Sequence, residues 1–201
     1  MLPSGDLPFS QACENNKGPI CDVLSRVFAD RRQVLEVGSG TGQHATFFAA
    51  RMPHLRWQPT ELAQNRAVLR PRCAAYTGSN LLPEQTLDVC AKPWPVAIPD
   101  ALFTANTLHI MPWTSVEAFF VQLAAGRPED FTMAVYGPFN YGGQYTSESN
   151  ARFDQWLHEQ NPHSAIRDFE AVDALAEQAG LALLADDALP ANNRLLVWKA
   201  A

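Results

Sequence analysis

Residues Val34–Gly42 read Val-Leu-Glu-Val-Gly-Ser-Gly-Thr-Gly in this chain of 201 residues. The first four have the pattern of a buried strand, and a helical pattern follows the glycines as far as Arg51, just before Pro53. Glycines at such a turn let the main chain approach a ligand closely, while the helix start offers free N–H groups. A strand, a glycine loop and a helix in this order are typical of a nucleotide-cofactor site.

On both sides of this loop, strand-like runs alternate with helical patterns, which predicts a mostly parallel sheet with helices on both faces. A capping-box pattern from Thr114 to Glu117 marks one helix start. Together the elements predict a single Rossmann-like α/β domain over residues 1–201. The seven predicted strands are 34–37, 55–60, 86–89, 101–105, 131–136, 181–184 and 195–198. The predicted helices are about 14–29, 43–51, 63–70, 114–124 and 169–179.

The connection between the fifth and sixth strands, about 138–180, is unusually long for a compact domain. Its first part is rich in glycine, tyrosine and polar residues, and long loops of this kind are often functional. We expect residues 137–160 to form a lid, with Asn140, Tyr141 and Tyr145 on the substrate side. Packing of the tyrosines within the loop itself is the alternative.

The glycine spacing separates two classes of cofactor. A dinucleotide site has the pattern G-x-G-x-x-G/A, but Gln43 stands where the third glycine belongs. Glu36 would repel a pyrophosphate, whereas it could hold the ammonium of the methionine part of S-adenosylmethionine (SAM). Glu61 ends the second strand, where an acid accepts hydrogen bonds from ribose hydroxyls. We therefore predict SAM as the cofactor and S-adenosylhomocysteine as its product.

The other predicted cofactor contacts lie where strands end, at the ligand edge of an open α/β sheet. Asp88 could accept a hydrogen bond from the adenine amino group, and the main chain of Val89 could serve the ring. A solvated turn aspartate is the alternative for Asp88. The remaining predicted contacts are Gly38, Ser39, Gly40, Gly42, Leu62, Asn106 and Leu108.

Beyond these patterns, the chain resembles the DUF938 family, whose vertebrate members are called methyltransferase-like protein 26. The resemblance implies the class I SAM-dependent methyltransferase fold and SAM binding, but it supplies no substrate. The segments that carry it are Glu14–Ile20, Val34–His44, Leu87–Val89, Asn106–Ile110, Tyr136–Phe139 and Ala191–Asn193.

The N-terminal motif departs from the pattern of that family. The family motif usually reads Glu-Arg-Asn-Lys, and Asn15 stands at the arginine position here. If that arginine holds the SAM carboxylate, Lys17 or a backbone amide must do so in this chain. Asn16 and Lys17 are therefore included among the predicted cofactor contacts.

His109 is the first candidate for chemistry. Methyl transfer needs a base only when the nucleophile must lose a proton. His109 follows the fourth strand, beside the expected methyl group, and an ordinary imidazole titrates near neutrality. A histidine that bonds the main chain and shapes the pocket is the alternative. Tyr136 is the second catalytic candidate, and His44 is interpreted as structural or near the tail of the cofactor.

Charge and composition bear on the partners. The net charge is −6 and the basic clusters, Arg31–Arg32 and Arg66–Arg72, are interpreted as solvated faces, which argues against a nucleic-acid substrate. No apolar run reaches the ~18 residues of a membrane span. No H-E-x-x-H motif or cysteine–histidine cluster is present, so no metal is predicted. The four scattered cysteines and the N-terminus without signal-peptide character predict reduced thiols in a cytoplasmic protein.

These features together predict a SAM-dependent methyltransferase that acts on a small molecule. Two alternatives stay open. One is a SAM-binding regulatory protein without turnover. The other is an NAD-dependent oxidoreductase, against which Gln43 and the lack of a Y-x-x-x-K pair both argue. The patterns leave the substrate, the methylated atom and the oligomeric state open.

Overall fold

The computed structural model of the protein describes residues 7–201, which form six α-helices and nine strands. The helices are α1 (Gln11–Val27), α2 (Gln43–Arg51), α3 (Arg66–Ala75), α4 (Trp113–Gly126), α5 (Glu148–Gln160) and α6 (Phe169–Gln178). The first five strands are β1 (Gln33–Val37), β2 (Arg56–Glu61), β3 (Gln85–Thr86), β4 (Ala101–Ala105) and β5 (Thr132–Gly137). The remaining strands are β6 (Phe139–Asn140), β7 (Arg167–Asp168), β8 (Leu181–Leu189) and β9 (Asn193–Ala200).

Seven of the strands form one sheet in the order β3-β2-β1-β4-β5-β9-β8. Strands β1 to β5 are parallel to one another, and β9 runs antiparallel between β5 and β8. The carboxyl ends of the parallel strands therefore meet at one edge. The predicted α/β fold, a seven-stranded mostly parallel sheet of the Rossmann-like type, is confirmed.

The sheet separates two apolar cores, because successive strand residues point to opposite faces. On one face Val34 packs in a cluster with residues of α1 and α2, including Leu24 and Phe48. On the other face Leu35 packs with residues of α4 and α6, such as Phe119. Burial on both faces explains why β1 and β4 read as nearly continuous apolar runs.

Several predicted boundaries are wrong for local reasons. The third strand is only Gln85–Thr86, so Asp88 and Val89 follow it instead of closing it. Helix α4 begins at Trp113, one residue before the predicted capping box, and no side chain caps it. The Pro112 carbonyl accepts instead from the main-chain nitrogens of Ser115 and Val116. Helix α1 begins at Gln11 instead of about residue 14, and the Ser10 side chain caps it.

The segment predicted as a lid, 137–160, is more regular than expected. It contains β6, which pairs with β7, and the 13-residue helix α5. The Ser147 hydroxyl caps α5 by accepting from the Asn150 main-chain nitrogen at 3.1 Å. Only residues 142–146 form a continuous exposed stretch between these two elements. The sequence interpretation missed α5 because its polar residues outweigh its apolar face.

The basic cluster Arg31–Arg32 is not a solvated face throughout. Arg31 is only 4% exposed, and its guanidinium forms ion pairs with Asp30 and Asp130 at 2.7 Å each. Its charge is therefore neutralised by this protein's own carboxylates. Within residues 7–201, no helix is both long and apolar enough to cross a bilayer.

Candidate functional site

The glycine loop lies at the carboxyl edge of the sheet and has the main-chain shape that its sequence requires. Gly38, Gly40 and Gly42 have φ angles of +74°, +54° and +76°, a region that disfavours any side chain. At Gly38 a Cβ atom would lie 2.6 Å from the Thr107 methyl carbon, so the loop also packs closely against the β4 side. At Gly40 a Cβ would meet open space, which leaves room for a ligand over the loop.

The loop is fixed to β2 by a set of hydrogen bonds. The Ser39 main-chain nitrogen donates to the Thr60 carbonyl at 2.9 Å, and the Thr60 nitrogen donates to the Ser39 hydroxyl at 3.2 Å. The Gly42 nitrogen donates back to the Ser39 carbonyl at 2.8 Å. The loop therefore has a defined shape, and α2 starts directly after it without a side-chain cap.

Glu61 ends β2 with its carboxylate turned toward this loop. One oxygen accepts from the Gly40 main-chain nitrogen at 2.8 Å. The other accepts from the Leu62 nitrogen at 2.9 Å and from the Asn65 amide at 3.3 Å. The Glu61 side chain is therefore buried and held in one orientation. The carboxylate lone pairs that these three bonds leave free are available to accept hydrogen bonds from a ligand.

Glu36 lies deeper than the sequence interpretation expected. Its side chain is 1% exposed, and its carboxylate accepts from the Trp57 indole nitrogen at 2.8 Å. Burial raises the pKa of Glu36 to about 7, and the negative charge of Glu61 acts in the same direction. Trp57 thus engages one carboxylate oxygen of Glu36 in the interior of the protein.

The predicted adenine contacts lie beyond β3, next to Leu62 and the end of β2. Asp88 is exposed, and one of its oxygens accepts from the Cys90 main-chain nitrogen at 2.9 Å. The Val89 carbonyl accepts from the Trp94 indole, so the Val89 main chain is partly engaged. Leu62 is half-buried and free to cover one face of a planar ring.

Asn106 and Leu108 follow β4, as predicted. Asn106 has a positive φ of +56°, and its main-chain nitrogen donates to the Tyr136 carbonyl at 2.9 Å. This conformation costs energy in a non-glycine residue and is held by neighbouring contacts. Leu108 is buried, and its carbonyl accepts from Arg167 at 3.0 Å.

The two N-terminal candidates lie on α1 in different surroundings. The Lys17 ammonium pairs with Glu14 and lies 4.9 Å from the centre of the Phe47 ring, along the flank of α2. Asn16 is buried, and its side-chain oxygen lies 2.7 Å from His44 Nε2. Because an amide oxygen only accepts, His44 donates from Nε2 in this arrangement.

Asn16 and His44 belong to a buried polar cluster that also includes Tyr136 and Asn193. The side chains of Asn16 and Asn193 approach the Tyr136 hydroxyl and act to lower its pKa, but burial dominates and raises it. Burial likewise lowers the pKa of His44 to about 4. These contacts connect α1 to α2, β5 and β9. They favour a structural role for His44 and leave Tyr136 poorly suited to exchange a proton.

His109 lies in the turn after β4, close to the end of β5. A Cβ built on Gly137 would lie 3.5 Å from His109 Nδ1, an ordinary van der Waals distance, so the imidazole lies directly against the end of β5. The ring packs edge-on against Phe153 of α5 at 5.5 Å. Burial, with help from the positive charge of Arg167, lowers the pKa of His109 to about 4. The imidazole is therefore neutral at pH 7.

The three predicted substrate residues differ in how they are engaged. Asn140 is 9% exposed, and its side-chain oxygen has no hydrogen-bond partner among the described residues. The Tyr141 hydroxyl donates to Asp186 at 2.8 Å, while the Tyr145 hydroxyl donates to Asp154 at 2.7 Å. Only Asn140 therefore presents a buried polar atom that still lacks a partner.

Two residues that touch this region were missed from the sequence. Arg167 bonds main-chain carbonyls on both sides of His109, and the Asp154 carboxylate accepts from the Ile166 nitrogen at 2.6 Å as well as from Tyr145. Both lie in the long connection after β5. No local pattern marks them, because their partners are distant in sequence. Within residues 7–201, no group of three or more histidine, cysteine, aspartate or glutamate side chains is arranged to hold a metal ion.

The comparison with protein families agrees with these motifs. A family model described as "Protein of unknown function (DUF938)" matches residues 7–200. The chain belongs to the DUF938 family. This confirms the resemblance that the sequence motifs carried.

Solved structures with the same fold include several methyltransferases. An O-methyltransferase family protein from Burkholderia thailandensis matches with a TM-score of 0.81 and 18% identity, over 94% of this chain and 57% of that one. Human N-acetylserotonin methyltransferase in complex with SAM matches with a TM-score of 0.79 and 11% identity, over 95% of this chain and 53% of that one. This chain therefore spans little more than half the length of these proteins. At these sequence identities of 18% and 11%, the structural similarity establishes that the fold is shared and nothing more.

Proposed function

We propose that this protein is a SAM-dependent methyltransferase with a small-molecule substrate. The observation that carries the proposal is the hydrogen bond from the Gly40 main-chain nitrogen to the Glu61 carboxylate, beneath the open space over Gly40. It brings the glycine loop and the acid at the end of β2 together, in the arrangement expected for a ribose-bearing cofactor. The structures with SAM-dependent methyltransferase names that share this fold support the same cofactor.

The residues at the loop fit SAM better than a dinucleotide. Gln43 is buried in the first turn of α2 and holds the main chain of Ser10 through its side-chain amide. The third glycine of the dinucleotide pattern, which allows the helix to pack closely on the strand, is thus replaced by a residue with a structural task. The carboxylate of Glu61 also makes this end of the site unfavourable for an additional pair of phosphates.

Six of the predicted cofactor contacts have a specific place in this proposal. Glu61 would accept from the ribose hydroxyls, Leu62 would cover the adenine ring, and Asp88 would accept from its amino group. Asn106 and the loop at Gly38 would border the methionine part. Glu36 would act through the main chain of the loop rather than by direct contact.

When bound, SAM supplies a methyl group on a sulfonium sulfur, which keeps the electron pair of the broken bond and becomes S-adenosylhomocysteine. His109 would hold the proton that the substrate's nucleophilic atom loses as its new bond to carbon forms. A neutral imidazole can accept this proton at pH 7, whereas a protonated one cannot. Alignment of the substrate by Asn140 and the residues of α5 would supply most of the remaining rate enhancement.

A small molecule fits the substrate side better than a nucleic acid. The net charge is −6, and the buried cation Arg31 is already paired. On the proposed substrate side, His109 packs edge-on against the aromatic ring of Phe153, and a polar group set among aromatic side chains is typical of small-molecule sites. The four cysteines are free thiols, which supports a cytoplasmic location as part of this proposal.

The experiment that tests the proposal measures binding and turnover separately. Calorimetry with SAM, S-adenosylhomocysteine and NAD should show binding of the first two and none of the third. Purified protein is then incubated with tritiated SAM and a metabolite extract, and the small-molecule and macromolecular fractions are counted. Label in the small-molecule fraction supports the full proposal. SAM binding without transfer to any fraction would favour a regulatory protein, and binding of NAD alone would favour an oxidoreductase.

A further inference from the structure

The turn that carries His109 is held by a separate segment of the chain, 163–167, which lies before and within β7. The carbonyls of four consecutive residues all accept hydrogen bonds from this segment. The Leu108 carbonyl accepts from Arg167 Nε at 3.0 Å and the His109 carbonyl from the Ala165 nitrogen at 2.9 Å. The Ile110 carbonyl accepts from the Ser164 hydroxyl at 2.9 Å, and the Met111 carbonyl accepts from Arg167 Nη2 at 2.6 Å.

Arg167 makes the first and the last of these four bonds. One guanidinium thus spans the turn from Leu108 to Met111, with His109 between its two points of attachment. The same guanidinium also donates to the His163 carbonyl at 3.0 Å and lies 5.7 Å from the centre of the Trp113 ring. A planar group with five fixed donors can bridge such carbonyls, and a lysine ammonium cannot do so with the same geometry.

We propose that Arg167 is a positioning residue for His109, holding the 108–111 turn so that the imidazole faces the proposed methyl-transfer site. The proposal rests on the function proposed above for His109. It deepens that function by assigning a task to a residue in the long connection after β5. The contacts of Arg167 are with main-chain carbonyls and the Trp113 ring, so Arg167 would act through the turn and not on the reacting atoms.

The charge of Arg167 supports the same role. Two charged groups act on His109: Arg167, which lowers its pKa, and Asp154 of α5, which acts in the opposite direction. Burial is the main cause of the low pKa of His109, and the charge of Arg167 adds to it while the guanidinium holds the turn. Asp154 in turn accepts from the Ile166 nitrogen at 2.6 Å, so α5 fixes the strand that carries Arg167.

The chain offers a matched control for this interaction. Arg127, after α4, also bonds three main-chain carbonyls with one guanidinium, those of Ala179 and Gly180, both at 2.8 Å, and that of Pro128 at 3.2 Å. It joins α4 to the start of β8 and makes none of the contacts to the His109 turn. Arg127→Gln therefore removes the same kind of interaction at a position outside the proposed site.

The test compares Arg167→Gln, Arg167→Lys and Arg127→Gln in the full chain. Hydrogen exchange reports on the Ile110 and Met111 amides, both of which donate to the Thr107 carbonyl. We expect exchange at these amides to accelerate by roughly tenfold or more in both Arg167 variants and to stay unchanged in Arg127→Gln. NMR titration, with the His109 signals assigned from a His109→Asn spectrum, should show a higher His109 pKa in Arg167→Gln than in the original protein. Arg167→Lys keeps the charge and should leave that pKa low.

Turnover completes the comparison. Arg167→Gln should lower kcat for methyl transfer by roughly tenfold or more, with the SAM dissociation constant within about threefold of the original. Equal exchange at Ile110 and Met111 in Arg167→Gln and Arg127→Gln would overturn the proposal. Should Arg167→Gln not fold, the exchange rates in Arg167→Lys decide the matter. Failure of the proposed methyltransferase function would appear differently, as absent transfer in the original protein with the exchange and titration effects intact.

Discussion

The Gly40 main-chain nitrogen lies 2.8 Å from the Glu61 carboxylate, to which it donates, so the glycine loop and the end of β2 form one structural unit. The second carboxylate oxygen is held by the Leu62 nitrogen at 2.9 Å. Both oxygens are thus oriented before a ligand arrives. An acceptor that is already oriented loses little conformational freedom on binding, which favours affinity.

Glu61 is therefore the first residue to test. Glu61→Gln keeps one oxygen that can accept from the loop. It replaces the other oxygen with an NH2 group, which donates and therefore cannot accept a hydrogen bond from a ribose hydroxyl. We expect SAM affinity to fall by about 1.5–3 kcal/mol, the scale of charge-assisted hydrogen bonds. Calorimetry measures this change, with the exposed Glu117→Gln of α4 as a control. A dissociation constant unchanged in Glu61→Gln, with the fold intact, would place the ribose elsewhere.

The pH dependence of methyl transfer tests the role of His109. Because burial lowers its pKa to about 4, the imidazole stays neutral and able to accept a proton from pH 8 down to about pH 5. The rate should be flat across this range and should fall only as the pH approaches 4. It should also fall by about 10² or more in His109→Asn. Circular dichroism at each pH checks that the fold is retained. A decline centred near pH 6.5 in the folded protein would contradict this assignment.

The contrast between the elements near the loop and those after β5 shows what the sequence could predict. The glycines, Glu61 and His109 were found because each lies at the end of a strand with a strong local pattern or within a few residues of it. The hydrogen bonds from Arg167 to the 108–111 turn could not be predicted. This turn lies more than fifty residues away in sequence, and every residue has a main-chain carbonyl, so no residue type marks the acceptors. Helix α5 was missed because its polar residues outweigh its apolar face. Its position is fixed by long-range contacts, such as the hydrogen bond from the Asn150 amide to the Asn192 carbonyl, which a local pattern does not reveal.

The burial of Glu36 was also beyond sequence reasoning. Its position before the glycines suggested a carboxylate open to a ligand, because the pattern gives the place of a residue along a strand but not what covers it. Trp57 pairs with Val34 in the neighbouring strand and turns its indole nitrogen onto Glu36. The exposed tip at 142–146 illustrates the opposite case, where glycines and polar residues did predict an open loop.

Asn140 allows stability and function to be separated. Its buried oxygen has no partner, and such an atom costs about 1–3 kcal/mol. Asn140→Leu should therefore leave the melting temperature unchanged or raise it, while KM for the substrate rises by roughly tenfold and SAM affinity stays the same. Asn150 is the matched control: its amide donates to Thr146 at 2.9 Å and to the Asn192 carbonyl at 3.1 Å. Asn150→Leu should lower the melting temperature. An Asn140→Leu variant with unaltered KM would remove Asn140 from the substrate site.

The raised pKa of Glu36 leads to a prediction about stability that needs no ligand. The folded protein holds this carboxyl with a pKa of about 7, whereas the unfolded chain ionises it near its ordinary value of about 4.3. Folding therefore favours the protonated carboxyl. The stability that this group contributes is fully present below the pKa of the unfolded chain, and it is lost as the pH rises through the pKa of the folded protein.

The variant Glu36→Gln carries no charge and still offers an oxygen to the Trp57 indole. Relative to the original protein it should be about equally stable at pH 4 and more stable at pH 8, by on the order of 1–3 kcal/mol. Urea unfolding at the two pH values measures the difference, and Glu117→Gln should show no such dependence. If Glu36→Gln gained the same stability at both pH values, packing rather than ionisation would be responsible, and Glu36 would be an ordinary acid in the folded protein.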